Sequence, residues 1–252
     1  MRFKALLLAI PVLIVLAATI LLDKPITYSG EESTDEAVAI EPITLNLVIG
    51  KTGSLYDDPG EPIYSEPDEN SEEITKLQYN CCVLQSEPAQ SYIEWVAVDL
   101  PNTDSTGYIK KENVDLETHV VECTDQIRYE IVKAALSNLG AKFKMGKSSL
   151  TDGIDCSNFI NQMYESAGVN IPKVPNEIRD VGYFISQSEA KPGDGMYYNV
   201  NNGNGHVAIY LGGDFQIGSM GHSGKIYPKG GVRICRLIYR DRENPEFINL
   251  LN

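Results

Sequence analysis

The sequence predicts an α+β domain preceded by a small all-β barrel. Three observations lead there. Residues 45–118 carry short alternating apolar runs separated by turn residues, with no helical stripe. From Thr124 the apolar spacing lengthens to a helical period. After the turn "KPGDG" strand-like runs return and continue towards the C-terminus. Helices first and strands afterwards, within residues 119–252, make an α+β arrangement.

In the first region, "ITLNLVIG", "ITKLQYNCCVLQS", "YIEWVAVDL" and "TGYIKKENV" alternate as half-buried strands do. "PGEPIYSEP" is broken by prolines and is expected to be loop or edge. "PNTDSTG" is a turn. Several short strands of this kind imply a small barrel, with Trp95, Val96 and Val98 as core candidates. In the second region, Ile127, Ile131, Ala135 and Leu139 form one helical stripe, with Thr124 as cap and Gly140 as stop. Phe159, Met163 and Ala167 form the next, closed by Gly168. "PNEIRDVGYFI" starts a short helix at Pro175. "MYYNV", "HVAIYLG", "DFQIGSM" and "GVRICRLIYR" are the strands that follow.

The N-terminus differs from the rest. Arg2 and Lys4 precede a run from Ala5 to Leu22 that carries no charge. That is a targeting segment, residues 1–24, outside the fold. Its apolar run approaches the ~20 residues that span a bilayer. The small residues Ala17 and Ala18 lie inside the run. The reading favours an uncleaved anchor over a cleaved signal peptide. The positive end stays inside and the bulk of the chain faces outward, at the cell surface or secreted. Residues 25–44, "SGEESTDEAVAIEP" among them, are an acidic spacer. With 35 Asp+Glu against 21 Lys+Arg and a formal charge of -14, nucleic acid is not an expected partner.

The five cysteines are Cys81, Cys82, Cys123, Cys156 and Cys235. An exported domain permits disulfides, yet an odd number leaves one thiol free. The set has neither the density of a disulfide scaffold nor the paired spacing of a zinc site, so no structural metal is expected. Cys156 stands at the first turn of the second predicted helix, in "GIDCSNF", flanked by Asp155 and Ser157. Amide groups and the helix dipole at that place favour a thiolate and lower a cysteine pKa. Asp155 is the expected cap. A cysteine nucleophile needs a base, and the base needs a group to orient it. The chain has three histidines, His119, His206 and His222. His206 begins the strand "HVAIY" and is the base candidate; a strand end can reach a helix N-terminus packed on the same sheet. Two other roles for Cys156 stay open: a buried small hydrophobe, or a disulfide with Cys123 or Cys235.

These strings also resemble a known family. "GIDCSNFINQMYESAGVNIPKVP" resembles the nucleophile segment of the NlpC-type cell-wall cysteine peptidases, which are papain-like. "KPGDGMYYNV" is similar to the family's Pro-Gly-Asp turn, and "GHVAIYLGGDFQIGSMGHSGKIY" to its histidine strand and the strand after it. "GAKFKMG" fits the stretch before the nucleophile, with Phe143 at an aromatic position. The resemblance covers about residues 125–240, in the family's order. The segment "YIEWVAVDLPNTDSTGYIKKENVDL" is similar, more loosely, to bacterial SH3-like modules.

The resemblance implies Cys156 as nucleophile, His206 as general base and the Cys156 amide as an oxyanion donor. Asp155, Ser157, Phe143 and Tyr197 are the expected substrate-side residues. The implied activity is a cysteine endopeptidase acting on the peptide stems of peptidoglycan or on muropeptides, at the bond between D-glutamate, through its γ-carboxyl, and the diamino acid. The alternative is an inert wall-binding protein with a papain-like domain. No metal or organic cofactor is implied. Partners are the wall peptides and, through the N-terminal segment, the membrane. Two departures stand out. Asn158 replaces the usual glycine after the Cys-Ser pair. Gly218 falls where the family places the polar residue that orients the imidazole. His222 from the following loop is the preferred substitute, and Gln216 the second.

Overall fold

Seven strands in the described residues precede the first α-helix: β1 Ile43–Gly50, β2 Glu61–Tyr64, β3 Glu73–Leu77, β4 Cys81–Leu84, β5 Trp95–Asp99, β6 Thr106–Lys110 and β7 Val114–Val121. The computed structural model describes residues 39–51, 60–86, 92–101, 103–200, 204–221, 230–237 and 244–251. The expected leader and most of the spacer therefore lie outside the described residues. Among the described residues no helix is long and apolar enough to cross a membrane.

The alternating runs become strands, with two adjustments. "ITKLQYNCCVLQS" is not one strand. Asn80 takes a left-handed backbone, φ 59°, and breaks it into β3 and β4. "EPIY" is not loop or edge. It lies inside the sheet β3-β2-β6-β5, and β6 pairs with it only at Tyr64, beyond the proline. The missing amide of Pro62 therefore costs no ladder bond on that side. Val48, Ile63, Leu77, Val83, Val96, Val98 and Ile109 make the core of this region, and Trp95 is buried edge-on to Tyr64.

The second half runs α1 Gln126–Leu136, β8 Ser148–Ser149, β9 Gly153–Ile154, α2 Cys156–Ser166, α3 Pro175–Val181, β10 Tyr183–Ile185, β11 Gly195–Val200, β12 Asn204–Gly212, β13 Phe215–Met220, β14 Gly231–Arg236 and β15 Glu246–Asn249. Asp125, not Thr124, caps α1; its carboxylate accepts the amide of Arg128 at 3.0 Å. Ile131 and Ala135 of the expected stripe are buried, but Ile127 is exposed and Arg128 is buried in its place. The reason is an ion pair with Asp194, described below. α2 buries Phe159, Ile160, Met163 and Tyr164, and Gly168 ends it at φ 78°.

A nine-stranded antiparallel sheet has the order β10-β15-β11-β12-β13-β14-β4-β1-β7. Three strands of the N-terminal region thus continue the C-terminal sheet. The expected boundary at residues 118 and 119 falls within β7, and residues 39–252 form one compact unit. β14 is buried along most of its length. Left without β4, its edge would expose unpaired amides and carbonyls. Ile234 pairs with Cys82 and Cys235 with Cys81 at this seam. The helix-facing side of the sheet carries Val207, Ile209, Phe215, Ile217, Val232 and Ile234, in one core with α1 and α2.

Candidate active site

The nucleophile candidate is held by its own neighbours. Asp155 caps α2: Oδ1 accepts the Asn158 amide at 2.8 Å, the Asn158 side chain at 3.0 Å and the Ser157 hydroxyl at 3.2 Å. Its Oδ2 accepts the Gly146 amide at 3.0 Å and so ties down the loop before β8. Both oxygens are engaged and the residue is buried, as is Ser157. Asp155 and Ser157 thus brace the first turn of α2 around Cys156. Asn158 uses its extra side chain to join the same cap.

Cys156 opens α2 and is partly exposed. Burial pushes its thiol above the ordinary value, and the Asp155 charge adds to that. The amides of Val207, Ser157 and Cys156 itself act in the opposite direction, favouring the thiolate, and do not prevail. The lowered pKa expected from the helix start is therefore not the net result: desolvation outweighs amide and dipole stabilisation. The Val207 contact is informative in another way. It sets the sulfur beside the residue that follows His206.

His206 lies on β12, opposite Tyr198 of β11. The two rings are 5.9 Å apart and inclined by 34°. Tyr198 is buried, and its hydroxyl donates to Gln216 Oε1 at 2.9 Å. Gln216 thus holds the aromatic ring against which the imidazole lies. Gly218 is a close-approach position. A Cβ there would stand 3.1 Å from the Ala208 Cβ and 3.5 Å from the Val207 carbonyl oxygen. His222 lies outside the described residues.

Phe143 is half-buried. Its ring occupies the space a side chain at Gly221 would need, 2.8 Å away, and its Cβ that of one at Gly230, also 2.8 Å. Tyr197 is buried on the helix side. Its hydroxyl donates to Asn176 Oδ1 of α3 at 2.7 Å, and the Arg179 guanidinium lies 5.3 Å from its ring. A Cβ on Gly205 would be 2.3 Å from that ring, so glycine there lets the chain pass over Tyr197 just before His206. Tyr197 positions the backbone that carries the base candidate.

Three further supports were not named from the sequence. Ser219, fully buried, donates to the Ile154 carbonyl at 2.7 Å and binds β13 to the strand before Cys156. Arg128 donates to Asp194 Oδ1 at 2.8 Å, and Asp194 Oδ2 accepts the Lys191 amide at 2.8 Å. The Tyr164 hydroxyl donates to the Gly193 carbonyl at 2.5 Å. The Pro-Gly-Asp turn is therefore an anchor for α1 and α2 on the sheet. Only the turn itself was a signal for this, because its partners lie far away in sequence. His119 bonds the Leu211 carbonyl through Nε2 at 2.9 Å and packs on Phe215. Among the described residues no group of three or more His, Cys, Asp and Glu is placed to hold a metal ion.

Residues 140–232 match the NlpC/P60 family. The chain is 29% identical over 108 residues to peptidoglycan endopeptidase RipB of Mycobacterium tuberculosis, covering 38% of this chain and 44% of that protein. It is 36% identical over 75 residues to a probable endopeptidase NlpC homolog of Haemophilus influenzae, covering 29% of this chain and 39% of that one. The chain thus spans less than half the length of either relative. The solved structure of the peptidoglycan hydrolase RipB from Mycobacterium tuberculosis aligns with 50% of this chain and 66% of its own, at 22% identity and a TM-score of 0.42. The segment that matches the NlpC/P60 family contains Cys156, the Pro-Gly-Asp turn and His206 in order.

Proposed function

We propose that the protein is a cysteine endopeptidase that hydrolyses peptide stems of bacterial peptidoglycan, at the bond between the γ-carboxyl of D-glutamate and the diamino acid. One observation carries the reading: the segment that matches the NlpC/P60 family, residues 140–232, holds Cys156 at the start of α2 and His206 on β12. His206 acts as the general base that takes the thiol proton as the sulfur attacks. The sulfur attacks the peptide carbonyl, and the Cys156 amide stabilises the oxyanion. His206 then protonates the leaving amine, and water hydrolyses the acyl-enzyme. The strand-rich region 45–118 serves as an SH3-like wall-binding module. The apolar leader places the protein at the cell surface, anchored or secreted. Wall peptides and muropeptides are the partners, and no cofactor takes part.

A second reading has its own support. Gly218 stands where the resemblance implies a polar side chain, and burial disfavours the Cys156 thiolate. Both suit an inert domain that binds wall peptides. Mass spectrometry of defined muropeptides after incubation with the protein and with Cys156→Ala separates the two. Cleavage by the parent alone supports the peptidase, and the product masses name the bond. Binding by both proteins without cleavage supports the inert module.

A further inference from the structure

The seam between β4 and β14 brings two thiols together. Cys81 and Cys235 are directly opposite in register, and their sulfurs are 3.8 Å apart. Both are buried, in the core that also holds Met220, whose sulfur is 3.8 Å from that of Cys235. Opposite residues of antiparallel strands have Cα atoms about 4.5–5.5 Å apart, within the span a disulfide bridges. Cys82 points to the other face, into the core beneath α1 and α2, because side chains alternate along β4. It is turned away from Cys235. Cys156 and Cys123 belong to that other core as well.

We infer that Cys81 and Cys235 are a redox site, oxidised to a disulfide that staples the N-terminal strands to the sheet carrying the candidate active site. The oxidant is a small disulfide or an exported thiol oxidase. The Cys81 thiolate attacks one sulfur of the oxidant's disulfide, forming a mixed disulfide and releasing one thiol. Cys235 then loses its proton, attacks the Cys81 sulfur and releases the second thiol. The protein loses two hydrogens and the oxidant becomes two thiols. The two thiols share one proton in their contact, the Cys235 S–H donating to Cys81, which favours a thiolate on one of the pair. Burial means that exchange takes place as the β4–β14 edge opens or before it closes.

The bond would join residues 154 positions apart, so its constraint on the unfolded chain is large. It is separate from catalysis and would be present in an inert domain too.

The full chain would be treated with oxidised glutathione, once folded and once during refolding from denaturant, then alkylated, digested without reductant and mapped by mass spectrometry. The expected result is a linked peptide pair containing Cys81 and Cys235, separated by dithiothreitol, with Cys123 and Cys156 alkylated. The oxidised protein should melt on the order of 10 °C higher. Cys82→Ser should keep the link. Cys81→Ser should lose it, and Cys235→Ser should leave glutathione on Cys81. Five alkylated cysteines after both treatments, or a link through Cys82 or Cys123 instead, would overturn the inference.

Discussion

The two sides of the candidate site are built differently. On the nucleophile side, Asp155 bonds residues two, three and nine positions away, and these contacts cap the start of α2. On the base side, the supports span 18 positions between Tyr198 and Gln216 and 66 between Arg128 and Asp194, and Ser219 reaches 65 positions to Ile154 to join the two sides. A local scaffold folds with its own helix turn. A distant one exists only when the whole sheet is paired. The base side should therefore be the more sensitive to substitution far from the site.

Arg128→Ala should give the largest loss. It leaves the Asp194 carboxylate buried without its partner, which costs about 3–5 kcal/mol in denaturant unfolding. Burial already raises the Asp194 pKa, so this group has little reserve. On the nucleophile side, Asp155→Ala removes the cap and the Gly146 anchor and should cost about 2 kcal/mol, with Asp155→Asn costing less. If Asp155→Ala proved costlier than Arg128→Ala, the contrast between local and distant support would fail.

Gly218→Ala sharpens the same contrast on the base side. Its Cβ would press on Ala208 and should cost roughly 1–2 kcal/mol. Ala208→Gly in the same chain should recover part of that, and a double-mutant cycle in urea reads the coupling. The smallest effect is on reactivity alone. Because burial raises the Cys156 thiol above its ordinary value of 9.0, alkylation by iodoacetamide should be slow at neutral pH and climb through and beyond pH 9. A thiolate plateau already present near pH 6 would point to a standing ion pair instead.

What the sequence made legible follows the same division. The cap at Asp155, the start of α2 and the turn at residues 191–194 are short-range patterns, and they appear as expected. The strands of residues 45–118 were legible from alternation, and Val96 and Val98 are buried with Ile63, Leu77 and Ile109, while Leu45, Leu47, Ile49 and Cys82 of the same region belong to the core with α1 and α2. The attachment of these strands to β14 was not legible, because strand alternation says which face is buried and not which edge is paired. The Arg128–Asp194 pair was hidden for a related reason. A buried arginine at position 128 breaks the apolar stripe of α1, and only its partner in the distant turn explains it. The rise in the Cys156 pKa was also hidden, since local amides were visible in the sequence and desolvation was not.

The central claim is that Cys156 and His206 act together on a wall peptide. Its most direct test is the initial rate of muropeptide cleavage by the protein, by Cys156→Ala and by His206→Gln, with ligand binding measured in parallel. The account predicts that both variants retain binding while kcat/KM falls by at least about a thousandfold. Cleavage by Cys156→Ala at the parent rate would contradict it.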